Sequence, residues 1–292
     1  MTRPASRGAH DNETSLALYD KAAQAAAAQV LGQYSTSFGL GARLLPAAMR
    51  RHVEAVYAVV RIGDEIVDTY QGDDARAVLD RFQAEVHEAM DGQFTSHVIA
   101  HAFGVTARAV GIGRELVDPY FASMAMDLER TVHDQASFDR YVHGSAEVVG
   151  EMCLAVFINT GTGPRAVDPE MRAGARRLRA AYQKVNFLRD LGDDSGRLGR
   201  SYFPGVSADT LDDAQLAALV EDCRADIEAA RRTLPGLPRR ARVAVATTID
   251  IYSRLLESIA ITPAAELVRT RTRVSNPTKL ALAARNTVRP GS

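Results

Sequence analysis

Along most of this chain apolar residues recur three and four positions apart, the period of a helix with one buried face. The pattern predicts an alanine-rich helix over residues 15–33. A second opens at Pro46 and runs through Val53, Val56, Tyr57 and Val60 to about residue 70. Gln71-Gly72-Asp73-Asp74 breaks it. Further helices are predicted over 75–90, 96–110, 114–130, 169–191, 212–234, 238–259 and 264–271, with a short one over 278–285. From 137 to 160 runs a longer apolar stretch rich in small residues, closed by Gly161-Thr162-Gly163-Pro164. The stretch 192–206, rich in Gly, Asp and Arg, reads as a functional loop. No period-2 series marks a strand, and no repeat or low-complexity linker divides the chain. The expectation is a disordered polar tail over 1–13 and a single all-α domain over 14–292.

Two interruptions of the apolar pattern carry the chemistry. The first, Arg61-Ile62-Gly63-Asp64-Glu65-Ile66-Val67-Asp68, sets Asp64 and Asp68 on one helix face. The second runs from Gln183 to Asp194 and does the same for Asn186, Asp190 and Asp194, with Arg189 beside them. Two such faces turned toward one cavity would make an oxygen-rich cage for Mg²⁺, usually completed by substrate phosphates. The plainer reading is a salt-bridged surface, because exposed like charges one turn apart cost only about 0.2–0.5 kcal/mol. Against it stand the neighbours: Ile62, Ile66 and Val67 flank the first cluster, and Val185, Phe187, Leu188 and Leu191 the second. Unit charges ~5 Å apart at an effective dielectric of ~20 repel by roughly 3 kcal/mol, so partly buried acids there need cations. Metal binding is the favoured reading, with Arg61 and Arg189 as purely structural partners the alternative.

Composition narrows the classes. Alanine is abundant and Trp absent, which suits helices, and 46% apolar with 24% charged residues is ordinary for a globular chain. A net charge of −1 gives no electrostatic case for a nucleic-acid partner. No stretch approaches the ~20 continuous apolar residues that span a bilayer. The first fourteen residues lack a hydrophobic signal core, and Cys153 and Cys223 lack metal spacing and read as reduced thiols. A cytoplasmic location is therefore expected. Glu-x-x-His pairs, His-Glu-x-x-His, Gly-x-Gly-x-x-Gly and Walker loops are all absent from the sequence, which argues against a dedicated dinucleotide-binding domain though not against a looser nicotinamide site; no nicotinamide cofactor is expected.

Taken in order, the motifs resemble the squalene/phytoene synthase family of head-to-head prenyl transferases, over roughly residues 34–279. Arg61-x-x-Asp64-Glu65-x-x-Asp68, with Tyr57 one turn earlier, resembles the family's first metal motif. Gln183-x-x-Asn186-x-x-Arg189-Asp190-x-x-x-Asp194 resembles the second, and Arg200-Ser201-Tyr202-Phe203-Pro204 the stretch after it. Tyr34-Ser35-Thr36-Ser37-Phe38, followed by Leu44-Leu45-Pro46, is similar to its N-terminal signature. Three positions depart from the commonest pattern: Glu65 stands for Asp, Glu147 for a small residue and His143 for Tyr. These bear on substrate choice more than on reaction type.

The resemblance implies a helical bundle of the isoprenoid synthase type around a central cavity. It implies prenyl diphosphate substrates and Mg²⁺, or Mn²⁺ in its place, held by Asp64, Glu65, Asp68, Asn186, Asp190 and Asp194. Asp64, Asp68, Asp190, Asp194 and Tyr57 would be catalytic, with Arg61, Arg189 and Arg200 completing an anion clamp. Ser35, Ser37, Gln183 and Tyr252 would handle diphosphate or protons, helix capping being the ordinary role of the serines. Phe38, Tyr57, Tyr141 and Phe187 could offer ring faces to cationic intermediates, or simply fill the core. Arg269, Arg271, Arg273 and Lys279 could close over phosphates, touch anionic lipid or form a solvated face. Peripheral contact with the inner membrane face follows from greasy substrates. The expected reaction joins two geranylgeranyl diphosphates into phytoene through a cyclopropylcarbinyl diphosphate, without reductant. Squalene or dehydrosqualene synthesis from farnesyl diphosphate is the first alternative, and a non-catalytic prenyl-diphosphate binder the second.

Overall fold

The computed structural model describes residues 15–70, 72–129, 131–193, 195–196 and 199–288, the side chain of Asp193 excepted. The tail expected over 1–13 and the candidate ligand Asp194 lie outside these residues. Helices account for the architecture: α1 (Leu16–Tyr34), α2 (Thr36–Arg43), α3 (Ala47–Asp68), α4 (Ala75–Met90), α5 (Val98–Val110) and α6 (Arg114–Glu129) form the first half. There follow α7 (Gln135–Val142), a π-helical turn (His143–Glu147) and α8 (Val148–Asn159), then α9 (Pro169–Asp193) and α10 (Asp213–Arg231). A 3₁₀ turn (Leu234–Gly236), α11 (Arg239–Ala260), α12 (Ala264–Leu267) and α13 (Asn276–Val288) complete the chain. The fold is all-α; the described residues hold no strand, only an isolated bridge between Val132 and Ser201.

Most helices fall within two residues of the sequence reading, and three places differ. The Tyr34–Arg43 region contains α2, which the periodicity does not announce because Gly39 and Gly41 dilute its helical character. Its start is fixed by Ser35, whose Oγ accepts from Phe38 N at 3.1 Å. The long apolar stretch is divided by the π turn, a local widening that often accompanies functional sites. The helix expected to 271 stops at Leu267, the last buried residue before a run of exposed polar ones.

One buried cluster joins α1, α3, α5, α6, α8, α9 and α11. The stretch Gln135–Asn159 is long and apolar enough to cross a membrane, yet 78% of its apolar window is buried inside the fold. It is the core element the other helices wrap. Gly144, in the π turn, lets that element rest on α6: a Cβ there would lie 2.0 Å from the Pro119 carbonyl oxygen.

Gly63 is equally constrained. A Cβ on it would lie 2.0 Å from the Tyr120 hydroxyl, which donates to the Val60 carbonyl at 2.6 Å. Gly63→Ala should destabilise the protein by about 1–3 kcal/mol through overpacking, read as a lower urea midpoint at unchanged slope. An unchanged midpoint would mean that Tyr120 gives way freely.

The last helix is docked through one buried carboxylate. Asp250 of α11 accepts from Arg285 at 2.6 Å and from Asn286 at 2.5 Å, both on α13, and from Arg231 of α10 at 3.3 Å. This holds α13 against the bundle and fixes where Lys279, on its first turn, stands.

Candidate active site

A cavity of about 770 Å³ opens among α2, α3, the π turn, α8, α9, α11 and the segment 271–279. From α3 it receives Tyr57, Arg61 and Asp64, spaced four and three apart on one face, with Val56 and Val60 beside them. From α9 it receives Gln183, Asn186 and Arg189, and from α11 Tyr252. Ser35, Ser37, Phe38 and Tyr141 line it as well. The two motif faces thus look into one space.

The aromatic wall is ordered. Phe38 and Tyr57 stack with centroids 5.5 Å apart, and Ser35, which caps α2, neighbours the Tyr57 hydroxyl. Burial first, then the nearby acid, push the Tyr57 hydroxyl up to about 12, with Arg61 and Ser35 opposing. It stays protonated and can donate. Tyr252 stacks on Tyr182 at 3.8 Å and donates to Asn186 Oδ1 at 3.4 Å. Phe187 is turned away from the cavity and stacks on Tyr202 at 4.1 Å.

The acids are held by arginines. Glu65 pairs with Arg61, whose guanidinium also lies 4.3 Å over the Tyr34 ring. Asp190 is bound by Arg189 and by Arg271, the latter at 2.8 Å. Asp68 is bound by Arg200. Neither Glu65, Asp68 nor Asp190 lines the cavity directly, whereas Asp64 does. Asp64 keeps some accessible surface toward the cavity but sits deep beneath the molecular exterior. Burial, and then the Asp68 carboxylate, push its carboxyl up to about 8 against the pull of Arg61. Among the described residues, no three His, Cys, Asp or Glu side chains converge as a ready-made metal cluster.

Arg200 is a structural tie, not a cavity residue. Its guanidinium is 6% exposed and donates to the carbonyls of Val67 at 3.0 Å and Asp127 at 3.2 Å as well as to Asp68. Asp127 completes the knot: it accepts from Tyr141 at 2.8 Å and Tyr202 at 3.3 Å and lies 3.7 Å from Arg200. Desolvation raises its carboxyl to about 7 even though Arg200 and the two tyrosines pull the other way. The sequence reading does not single out Asp127, although it stands one turn after Met124 and two after Tyr120 on the apolar stripe of α6. A lone carboxylate on such a stripe is a detectable signal. It also passed over Arg179, which lines the cavity one turn before Gln183 on the same face of α9.

At the mouth, Arg271, Arg273 and Lys279 stand with Arg189. Burial lowers the Lys279 ammonium, and its neighbours Arg189 and Arg273 add repulsion. Lys279 donates to Thr36 Oγ1 at 2.9 Å. This rim gathers four cations, two of them on Asp190, and so favours an anion.

Comparison with known proteins agrees with this geometry. The chain is 28% identical over 253 residues to 15-cis-phytoene synthase of Synechocystis sp., covering 79% of this chain and 74% of that one. It is 29% identical over 204 residues to presqualene diphosphate synthase of Zymomonas mobilis, covering 68% of this chain and 65% of that one. In fold it is similar to a crystal structure of a dehydrosqualene synthase in complex with ligand, with a TM-score of 0.77 at 19% identity over 93% of this chain and 97% of that one. The family model for squalene/phytoene synthase matches residues 31–278, the span that contains every cavity-lining residue named above except Lys279, and the chain belongs to that family.

Proposed function

We propose that the protein is a phytoene synthase: it joins two geranylgeranyl diphosphates head to head, through a cyclopropylcarbinyl diphosphate, and releases two diphosphates without a reductant. The observation that carries this reading is one cavity lined by residues of both motifs, Asp64 from the first and Gln183, Asn186 and Arg189 from the second, and rimmed by Arg271, Arg273 and Lys279. The named relatives support prenyl diphosphate chemistry, with both chain lengths represented among them.

The donor set suits a hard divalent cation. Asp64, Asp68, Asn186 and Asp190 offer only oxygen, and the Asp64 carboxyl is raised by burial first and then by the Asp68 carboxylate, a charge a cation would stabilise. These four would hold Mg²⁺, with Asp194 and Glu65 as further oxygen donors on the same stretches. When bound, the metal would draw charge from the departing diphosphate. Arg189, Arg271, Arg273 and Lys279 bind and orient that anion through charge-assisted hydrogen bonds. Arg61 supports it from α3 while fixed by Glu65 and Tyr34. Phe38 and Tyr57 turn stacked rings to the developing allylic cation, and the Tyr57 hydroxyl remains un-ionised. The apolar wall of Val149, Cys153 and Leu255 excludes water that would quench it.

Product analysis tests the reading. Purified protein with Mg²⁺ and geranylgeranyl diphosphate should release a C40 hydrocarbon with or without NADPH, identified by chromatography and mass spectrometry. A C30 product from farnesyl diphosphate alone would assign the shorter substrate. No product from either would leave a prenyl-diphosphate binder without turnover.

A further inference from the structure

Along the cavity face of α9, Arg189 stands at the mouth, Asn186 and Gln183 follow, and Arg179 lies one turn further in. Arg179 is thus roughly 15 Å from Arg189 along the helix axis. It makes no hydrogen bond or ion pair with any described residue, and its Nε is buried without a partner. Among the described residues the only acid lining the cavity is Asp64, the proposed metal ligand on α3. The Phe38 ring and the Cys153 thiol, which share this stretch of wall, cannot neutralise a guanidinium. Gly150 gives the arginine its place: a Cβ there would lie 2.8 Å from Arg179 Cγ and 2.5 Å from the Ala175 carbonyl oxygen.

An uncompensated, partly buried guanidinium is costly as mere filling. The diphosphate does not call for it, since the rim supplies four cations of its own. What a fixed positive charge does inside such a cavity is repel a second one. We propose that Arg179 is an electrostatic floor: it makes positive charge unfavourable along the inner part of the prenyl tail and confines the allylic cation to the stretch between the Phe38–Tyr57 rings and the departing diphosphate. This rests on the prenyl diphosphate reading above and adds a residue that governs where the charge can sit. The stacked rings draw the cation and the arginine pushes it back, so both act in one direction along the cavity. A neutral tail meets no such barrier, because the repulsion acts on charge alone and the arginine's stem is itself aliphatic.

The test uses unreactive thiolodiphosphate analogues in which one carbon is replaced by a protonated amine nitrogen, either in the first isoprene unit or further along the tail. Each is paired with its uncharged carbon isostere. All are titrated calorimetrically, with Mg²⁺, into wild type, Arg179→Met and Arg179→Lys, after circular dichroism melting has checked that each is folded. Across ~8–10 Å at an effective dielectric of ~20, Arg179→Met should raise affinity for the inner ammonium, relative to its isostere, by about 10-fold or more. The ratio for the first-unit ammonium should stay as in wild type. Arg179→Lys keeps the charge and should keep both ratios, while Arg179→Gln, a second neutral variant, should repeat the result of Arg179→Met. An unchanged inner ratio in the neutral variants, with the isosteres still bound, overturns the floor and leaves the prenyl reading standing. A lysine variant that behaves like the methionine one overturns it as well, by placing the effect in shape and not in charge. Equal weakening of every analogue by Arg179→Met overturns it too, making Arg179 an anion ligand. Failure of wild type to bind any analogue removes the prenyl reading and the floor together.

Discussion

Asp64→Asn should lower turnover of prenyl diphosphates by about 10³-fold or more, while stabilising the metal-stripped protein at neutral pH. The two effects have one cause. Asp64 is the motif acid that opens directly on the cavity, and an amide can neither carry the charge nor bind a hard cation as a carboxylate does. Its charge is also what the fold tolerates least, because burial and Asp68 raise the carboxyl to about 8 from an unfolded value near 4. Between those values the folded state binds more protons than the unfolded one, so stability falls as pH rises from 4 to 8. The amide has no such dependence. Steady-state kinetics and urea denaturation in EDTA across that window measure both; equal activity would remove Asp64 from the chemistry, and a parallel pH slope would remove the strain.

Arg200→Met should be the most destabilising single change at the site, by about 3–5 kcal/mol, because it takes from the buried Asp127 the cation beside it. Asp127 is buried to 9% exposure among Tyr141 and Tyr202, with no solvent to take over. Lysine cannot substitute, since a single ammonium does not reach two carboxylates and two backbone carbonyls in the planar pattern the guanidinium makes. Chemical denaturation of both variants checks this. The double variant Arg200→Met with Asp127→Asn should recover part of the loss; no recovery would place the cost in the chain around Ser201 and not in the uncompensated acids.

Helix positions and the two motif faces were legible because both follow from period: Tyr57, Arg61 and Asp64 share a cavity face, as do Gln183 and Asn186. What period cannot carry is partnership between distant stretches. Arg200, expected on the anion, is spent on Asp68 from 132 positions away. Arg271, read as either clamp or solvated face, stands at the cavity mouth and pairs with Asp190. Ser35 proved to be both the cap its type suggests and a neighbour of Tyr57. Phe187, next to the motif in sequence, turns into the core because consecutive helical residues point some 100° apart. The π turn leaves no mark in the pattern because hydropathy is blind to a single added residue in a mostly buried helix.

The docking of α13 on Asp250 reaches further than it looks. Lys279 helps form the positive mouth, but its position is dictated by a latch near the other end of its helix, at Arg285 and Asn286. Those residues lie past the 31–278 span that the family model matches. One of the four cations at the mouth is thus held from outside the matched span, so changes in the last turns alone can alter how strongly the cavity draws in a diphosphate, with every motif residue left in place.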